Sequence, residues 1–94
     1  MGAERPLSAW SDRRIGEHGR AICQQRALPT HPEVAASQAA VLEEWARRWR
    51  QRGPSDVAGL VELGLVEDIA AELRRLVTAA ARQPDPQREA GCER

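Results

Sequence analysis

The chain has 94 residues, a length that predicts a single domain. Its 14 basic residues, all arginine, balance 14 acidic residues, and this zero net charge argues against a protein built mainly to coat nucleic acid. The sequence contains no apolar run of about 18 residues, no signal-peptide pattern and no close cysteine pair. We therefore expect a cytoplasmic protein without membrane contact and without a disulfide framework.

The first predicted helix covers about residues 12–27. Ser8 or Ser11 can cap its N-terminus, because a serine hydroxyl accepts a hydrogen bond from an unpaired N–H of the first turn. Gly19 lies on the apolar face and costs the helix about 1 kcal/mol relative to alanine. This glycine either lets a neighbouring backbone come close or marks a kink. The helix ends before Pro29, because a residue that precedes proline avoids the helical conformation.

The next predicted helix covers about residues 31–52. Thr30 and Glu33 form the pattern of a capping box, in which each side chain accepts a hydrogen bond from the other residue's backbone N–H. Gly53 supplies a left-handed cap at the C-terminus, and Pro54 prevents continuation. Residues that recur at three- and four-residue steps indicate one buried stripe along this helix: Val34, Gln38, Val41, Leu42, Trp45 and Trp49.

Two further helices are predicted at about residues 56–63 and 65–82, separated by Gly64. The alternative is one continuous helix over residues 56–82, because a single glycine costs a helix only about 1 kcal/mol. Beyond this point the sequence loses its apolar period and contains two prolines. A disordered tail is therefore expected at residues 83–94.

These elements predict an all-α fold, a small bundle of three or four helices in one domain at residues 1–82, with 31–52 as its longest helix. A domain of this size buries only roughly 60–65% of the surface that its unfolded chain exposes, so it is marginally stable alone. The segment 57–77 is apolar on more than one face. A helix of that kind is normally covered on most sides, so we expect self-association, most simply as a homodimer.

No pattern in the sequence predicts catalysis, a cofactor or a metal site, so we expect a protein that is not an enzyme. The candidate metal ligands lack the spacing of two to four residues that is typical of structural zinc sites. They are His18, Cys23, His31 and Cys92. Cys23 follows Ile22 on an apolar stripe, which favours a small buried hydrophobe over a nucleophile.

A cluster of arginines near the end of the 31–52 helix is the strongest polar feature of the chain. It consists of Arg47, Arg48, Arg50 and Arg52, with Trp45 and Trp49 alongside. Guanidinium groups and aromatic rings together can bind nucleic acid through charge and stacking. The alternative is structural, because cations near a helix C-terminus complement the helix dipole and pair with acidic residues four positions earlier.

The apolar residues give the first functional hypothesis, which is a non-enzymatic interaction or regulatory module or a small subunit of a larger complex. We expect this protein to self-associate. Its candidate partner interface consists of Trp45, Trp49, Leu60 and Leu63. The second hypothesis is a DNA-binding transcriptional regulator that uses the arginine cluster. Carboxylates at the start of the 65–82 helix would repel phosphates there, which favours the first hypothesis.

Overall fold

The computed structural model describes residues 6–82. A short 3-10 turn precedes three α-helices in this range: Leu7–Ala9, then α1 (Asp12–Gln24), α2 (Pro32–Arg52) and α3 (Val57–Arg82). The described residues contain no strand, and the predicted all-α bundle is confirmed. The tail expected at 83–94 lies outside the described residues. No helix between residues 6 and 82 combines the length and the apolar composition needed to cross a membrane.

Helix α1 begins where the sequence predicted and ends three residues earlier. Of the two candidate caps, Ser11 is the one used, and its hydroxyl oxygen accepts a hydrogen bond of 3.1 Å from the Arg14 backbone N–H. At the other end Gln25 is extended, with φ −67° and ψ 146°. Its side-chain amide exchanges two hydrogen bonds with Gln38 of α2, at 2.9 and 3.2 Å. This contact with α2 accompanies the early end of α1.

The capping box predicted for α2 is wrong. The N-cap is His31, which makes no side-chain capping hydrogen bond, and Pro32 is the first helical residue. Proline restricts the preceding residue to an extended conformation, and His31 has φ −97° and ψ 129°. The N-cap therefore lies one residue beyond Thr30, so Thr30 and Glu33 no longer have the spacing of a capping box.

The C-terminus of α2 lies where the sequence placed it. The Gly53 N–H donates to the Trp49 carbonyl oxygen at 2.9 Å. Gly53 has φ +82°, a conformation that favours glycine, but its ψ of 126° lies outside the predicted left-handed helical cap.

Helix α3 is continuous through Gly64, so the predicted break into helices at 56–63 and 65–82 is wrong and the continuous alternative is correct. With 26 residues, α3 rather than the 21-residue α2 is the longest helix. The Asp56 carboxylate accepts a hydrogen bond of 2.8 Å from the Gly59 N–H at its start. Leu63 and Val66 are both buried, one on each side of Gly64 along the chain. Their common burial against the core outweighs the low helix propensity of one glycine.

Helix α2 is the centre of the bundle, because it packs against both other helices while α1 and α3 contact each other much less. Ion pairs show that α3 runs antiparallel to α2, since Arg50 pairs with Glu67 and the earlier Glu43 pairs with the later Arg74. The buried core draws on all three helices: Ile15, Ala35, Ala39, Leu42, Trp45, Ala46, Leu63, Val66, Ala70 and Leu73. Four alanines among these ten residues leave a thin core.

The contact between Gly19 of α1 and Trp45 of α2 determines how closely these helices pack. A Cβ atom at Gly19 would overlap Cε3 and Cζ3 of the Trp45 ring. The sequence predicted a close neighbour or a kink at this glycine. The structure shows a close neighbour, an indole ring rather than a backbone, and α1 continues unbroken through the position.

We predict that Gly19→Ala destabilises the protein and that Gly16→Ala, its matched control, does not. Overpacking a filled core costs typically 1–3 kcal/mol, against which alanine returns about 1 kcal/mol of helix propensity. At Gly16 a Cβ would meet its nearest atoms at 3.7 and 3.8 Å, which is ordinary contact. Denaturant unfolding should give a lower midpoint for Gly19→Ala and a higher one for Gly16→Ala. Equal midpoints for the two variants would contradict the proposed fit of Trp45 against Gly19.

Candidate interaction surface

Each guanidinium group of the arginine cluster pairs with a carboxylate of the same chain. Arg47 and Arg48 both bond to Glu44, Arg50 pairs with Glu67 of α3, and Arg52 reaches Asp12 of α1. The second oxygen of Glu67 accepts from Nη2 of Arg50 at 2.6 Å, so that pair is bidentate. The cluster therefore connects α2 to both neighbouring helices.

Arg48 makes the largest number of these contacts and fixes the N-terminal segment. Its side chain is only 14% exposed. It donates to Glu44 at 2.7 Å, to Asp12 at 2.8 Å, and to the carbonyl oxygens of Trp10 and Leu7 at 2.8 and 2.9 Å. These carbonyls belong to the 3-10 turn and the residue after it. A guanidinium group has enough donors in one plane to hold several acceptors at once.

The ion pairs lower the pKa values of three carboxyl groups. Hydrogen bonds from Arg47 and Arg48 hold the pKa of Glu44 below its ordinary value of 4.5. A hydrogen bond from Arg74 lowers the pKa of Glu43, and one from Arg50 lowers the pKa of Glu67. Because each carboxylate is stabilised in the folded state only, protonating it removes folding free energy.

We predict that these three groups contribute their full stability near pH 7 and that stability falls as the pH drops through their ordinary pKa of 4.5 toward the lower folded-state values. In that range the unfolded chain binds protons before the folded chain does, because its carboxyl groups keep their ordinary pKa values. The loss of stability ends once the pH has fallen below the lower pKa values of the folded state. Thermal unfolding between pH 7 and pH 2 measures the effect. The triple variant Glu43→Gln, Glu44→Gln, Glu67→Gln should lose less on acidification than the parent protein.

Glu33→Gln is the matched control, because Glu33 is exposed and forms no ion pair with another residue between 6 and 82. This variant should follow the parent protein in acid. A triple variant whose thermal midpoint falls as steeply as that of Glu33→Gln would show that the three ion pairs add nothing to stability.

The paired state of the cluster weakens the nucleic-acid hypothesis. Phosphate binding through Arg47, Arg48, Arg50 or Arg52 would have to compete with a carboxylate already bonded to each. Arg48 would also have to release the backbone carbonyls that it holds. Nucleic-acid affinity depends on cations that are free to replace condensed counterions, and three carboxylates, Glu44, Glu67 and Asp12, offset most of the positive charge of these four arginines.

The other polar candidates lie apart from one another. The His18 ring is exposed and rests 4.9 Å from the Trp10 ring, and His31 is the N-cap of α2. Cys23 is half-buried, and burial, with a smaller contribution from Glu62, raises the pKa of its thiol. Cys92 is outside the described residues. Among residues 6–82, no three histidine, cysteine or carboxylate side chains come together as a metal site.

The predicted interface residues are divided between the core and the surface. Trp45 and Leu63 are buried in the single chain, at 7% and 1% exposure, so neither is available to a partner. Trp49 is half-buried beside Trp45, with ring centroids 5.7 Å apart. Leu60 is 55% exposed. The four residues therefore do not form one surface, and only Leu60 lies fully at the exterior.

An exposed apolar face on the first half of α3 is the feature that the sequence did not resolve. It is formed by four branched side chains, which we call the α3 face: Val57 at 75% exposure, Leu60 at 55%, Val61 at 59% and Leu65 at 56%. At 100° per residue they lie on the side of α3 opposite Leu63, Val66 and Ala70, which are buried. Treating α3 as one continuous helix would have separated the two faces from the sequence.

The α3 face is bounded along the helix and at its side. Farther along α3, the same side carries the charged residues Asp68, Glu72 and Arg75. Beside it, Leu65 also lines a shallow groove of about 340 Å³ between α1 and α3. Apolar atoms of Cys23, Trp45, Val66 and Ile69 line the groove, with Arg20, Gln24 and Glu62 around them. Leu65 thus belongs both to the α3 face and to the groove.

No protein family, curated protein or solved structure matches the chain. The functional interpretation therefore depends on the geometry of the chain itself.

Proposed function

We propose that this protein is a non-enzymatic helical interaction module that self-associates as a homodimer through the α3 face, in the cytoplasm. The observation that carries the proposal is the exposure of Val57, Leu60, Val61 and Leu65 side by side on one helix. Single apolar residues at a surface are ordinary, but contiguous apolar patches on small soluble domains commonly mark interaction sites.

The strength of such a contact follows from the number of side chains that it buries. Fully burying an exposed valine or leucine contributes roughly 1.5–3 kcal/mol, so a side chain that is already half covered contributes roughly half of that. Eight such side chains across a dimer supply about 6–12 kcal/mol, which is comparable with the roughly 4–15 kcal/mol lost when two molecules associate. The α3 face therefore favours a dimer that depends on concentration.

We predict that the mass of the full chain in solution rises with concentration from 10.4 kDa toward twice that value. Light scattering over the micromolar to millimolar range measures it. Val61→Glu should abolish the rise, because it puts a charge at the centre of the α3 face. The side chain is 59% exposed in the single chain, so the substitution leaves the core intact.

Val34→Glu is the matched control, since Val34 is 43% exposed on α2 and away from the α3 face. This variant should dimerise as the parent chain does. A mass that stays at 10.4 kDa at every concentration, or an equal loss of association in both variants, would refute the proposal.

A further inference from the structure

We propose, on the basis of the self-association proposed above, that the second copy packs its α3 antiparallel to the first, with Val61 of each copy seated over Gly64 of the other. The two-fold axis then passes between residues 61 and 64. Because the interface is symmetric, each contact occurs twice.

The first support for this arrangement is the position of Gly64. A glycine inside a helix is unfavourable, and no contact among residues 6–82 requires this one, because a Cβ there would meet none of their atoms within 4 Å. Gly64 lies within the α3 face, between Val61 and Leu65. It forms a notch in an otherwise branched apolar surface, and a missing side chain is what lets another helix come close.

The second support is the spacing of residues along the face. Val57, Val61, Gly64 and Asp68 follow one another at steps of four, three and four residues, the alternation that keeps a straight seam against a neighbouring helix. In an antiparallel pair with Val61 over Gly64 of the second copy, the next pair of facing residues is Val57 of one copy and Asp68 of the other. Leu60 and Leu65 then cover the two edges of the seam.

Charge selects the antiparallel direction. In that arrangement Asp68 approaches the N-terminus of the other α3, where the helix dipole is positive. The Asp56 carboxylate already accepts a hydrogen bond from the Gly59 N–H at that end, so the helix dipole alone does not decide the direction. A parallel pair would instead place the two N-termini together and would set Asp68 against Asp68, Glu72 against Glu72 and Arg75 against Arg75. The antiparallel direction offsets these three like-charged positions along the helix axis, and for this reason it is the direction that we propose.

The test is disulfide crosslinking of the full chain in a Cys23→Ala, Cys92→Ser background. Chains with Val57→Cys are mixed with chains carrying Asp68→Cys and are gently oxidised. The antiparallel pair brings these two positions into one layer, within reach of a disulfide. The antiparallel pair separates residue 57 of one copy from residue 57 of the other by 11 residues, or about 16 Å along the helix axis. The two copies of residue 68 are separated by the same distance.

We expect crosslinked dimer in the mixture and little from either variant alone. Crosslinking of each variant with itself, with none between the two, would show a parallel pair and overturn the inference while leaving the proposed self-association intact. A chain that shows neither crosslinking nor an increase in mass would refute both proposals together.

Gly64→Ala tests the notch separately. The new methyl group has free space in the single chain, so the fold should remain intact, whereas in the dimer it would meet Val61 of the second copy. The dissociation constant should rise about tenfold. Gly16→Ala, which lies away from the α3 face, should leave the dissociation constant unchanged. An unchanged or lower constant for Gly64→Ala would mean that the two helices do not approach closely at this glycine.

Discussion

The fold depends on the space that Gly19 leaves for the indole ring of Trp45. Because a Cβ at this position would overlap the ring, only glycine allows α1 to lie on α2 at the observed distance. Trp45 then fills the region where α1, α2 and α3 meet and also lines the groove between α1 and α3. Four of the ten core residues are alanines, so this ring supplies a large share of the apolar surface that the chain buries.

The arginines compensate for that thin core at the surface. Arg48 secures the N-terminal turn, Arg52 joins α2 to α1, and Arg50 joins α2 to α3. Exposed ion pairs contribute little one at a time. Arg48 differs, because it is mostly covered and bonds to backbone carbonyls as well as carboxylates. An arginine cluster that resembles a binding site in the sequence therefore acts in the fold as a set of connections between elements.

Much of the fold could be predicted because helix ends are often set by local chemistry. The Ser11 cap, the end of α2 at Gly53 and the start of α3 at Asp56 each depend on residues within one turn. The errors arise where a distant or competing contact decides. Gln25 leaves α1 to pair with Gln38, Pro32 displaces the cap from Thr30, and the core keeps α3 straight through Gly64. The burial of Trp45 and Leu63 could not be predicted either, because it depends on how three helices meet.

The continuity of α3 connects the core to the exposed surface. A break at Gly64 would have let the residues before it turn toward the bundle and hide their side chains. As one helix, α3 must hold Leu63, Val66 and Ala70 against the core, and the same rotation fixes Val57, Leu60, Val61 and Leu65 on the opposite side. Exposing these four residues is thus the consequence of burying the others. Among residues 6–82 no further element covers the α3 face, and in the proposed dimer a second copy would cover it.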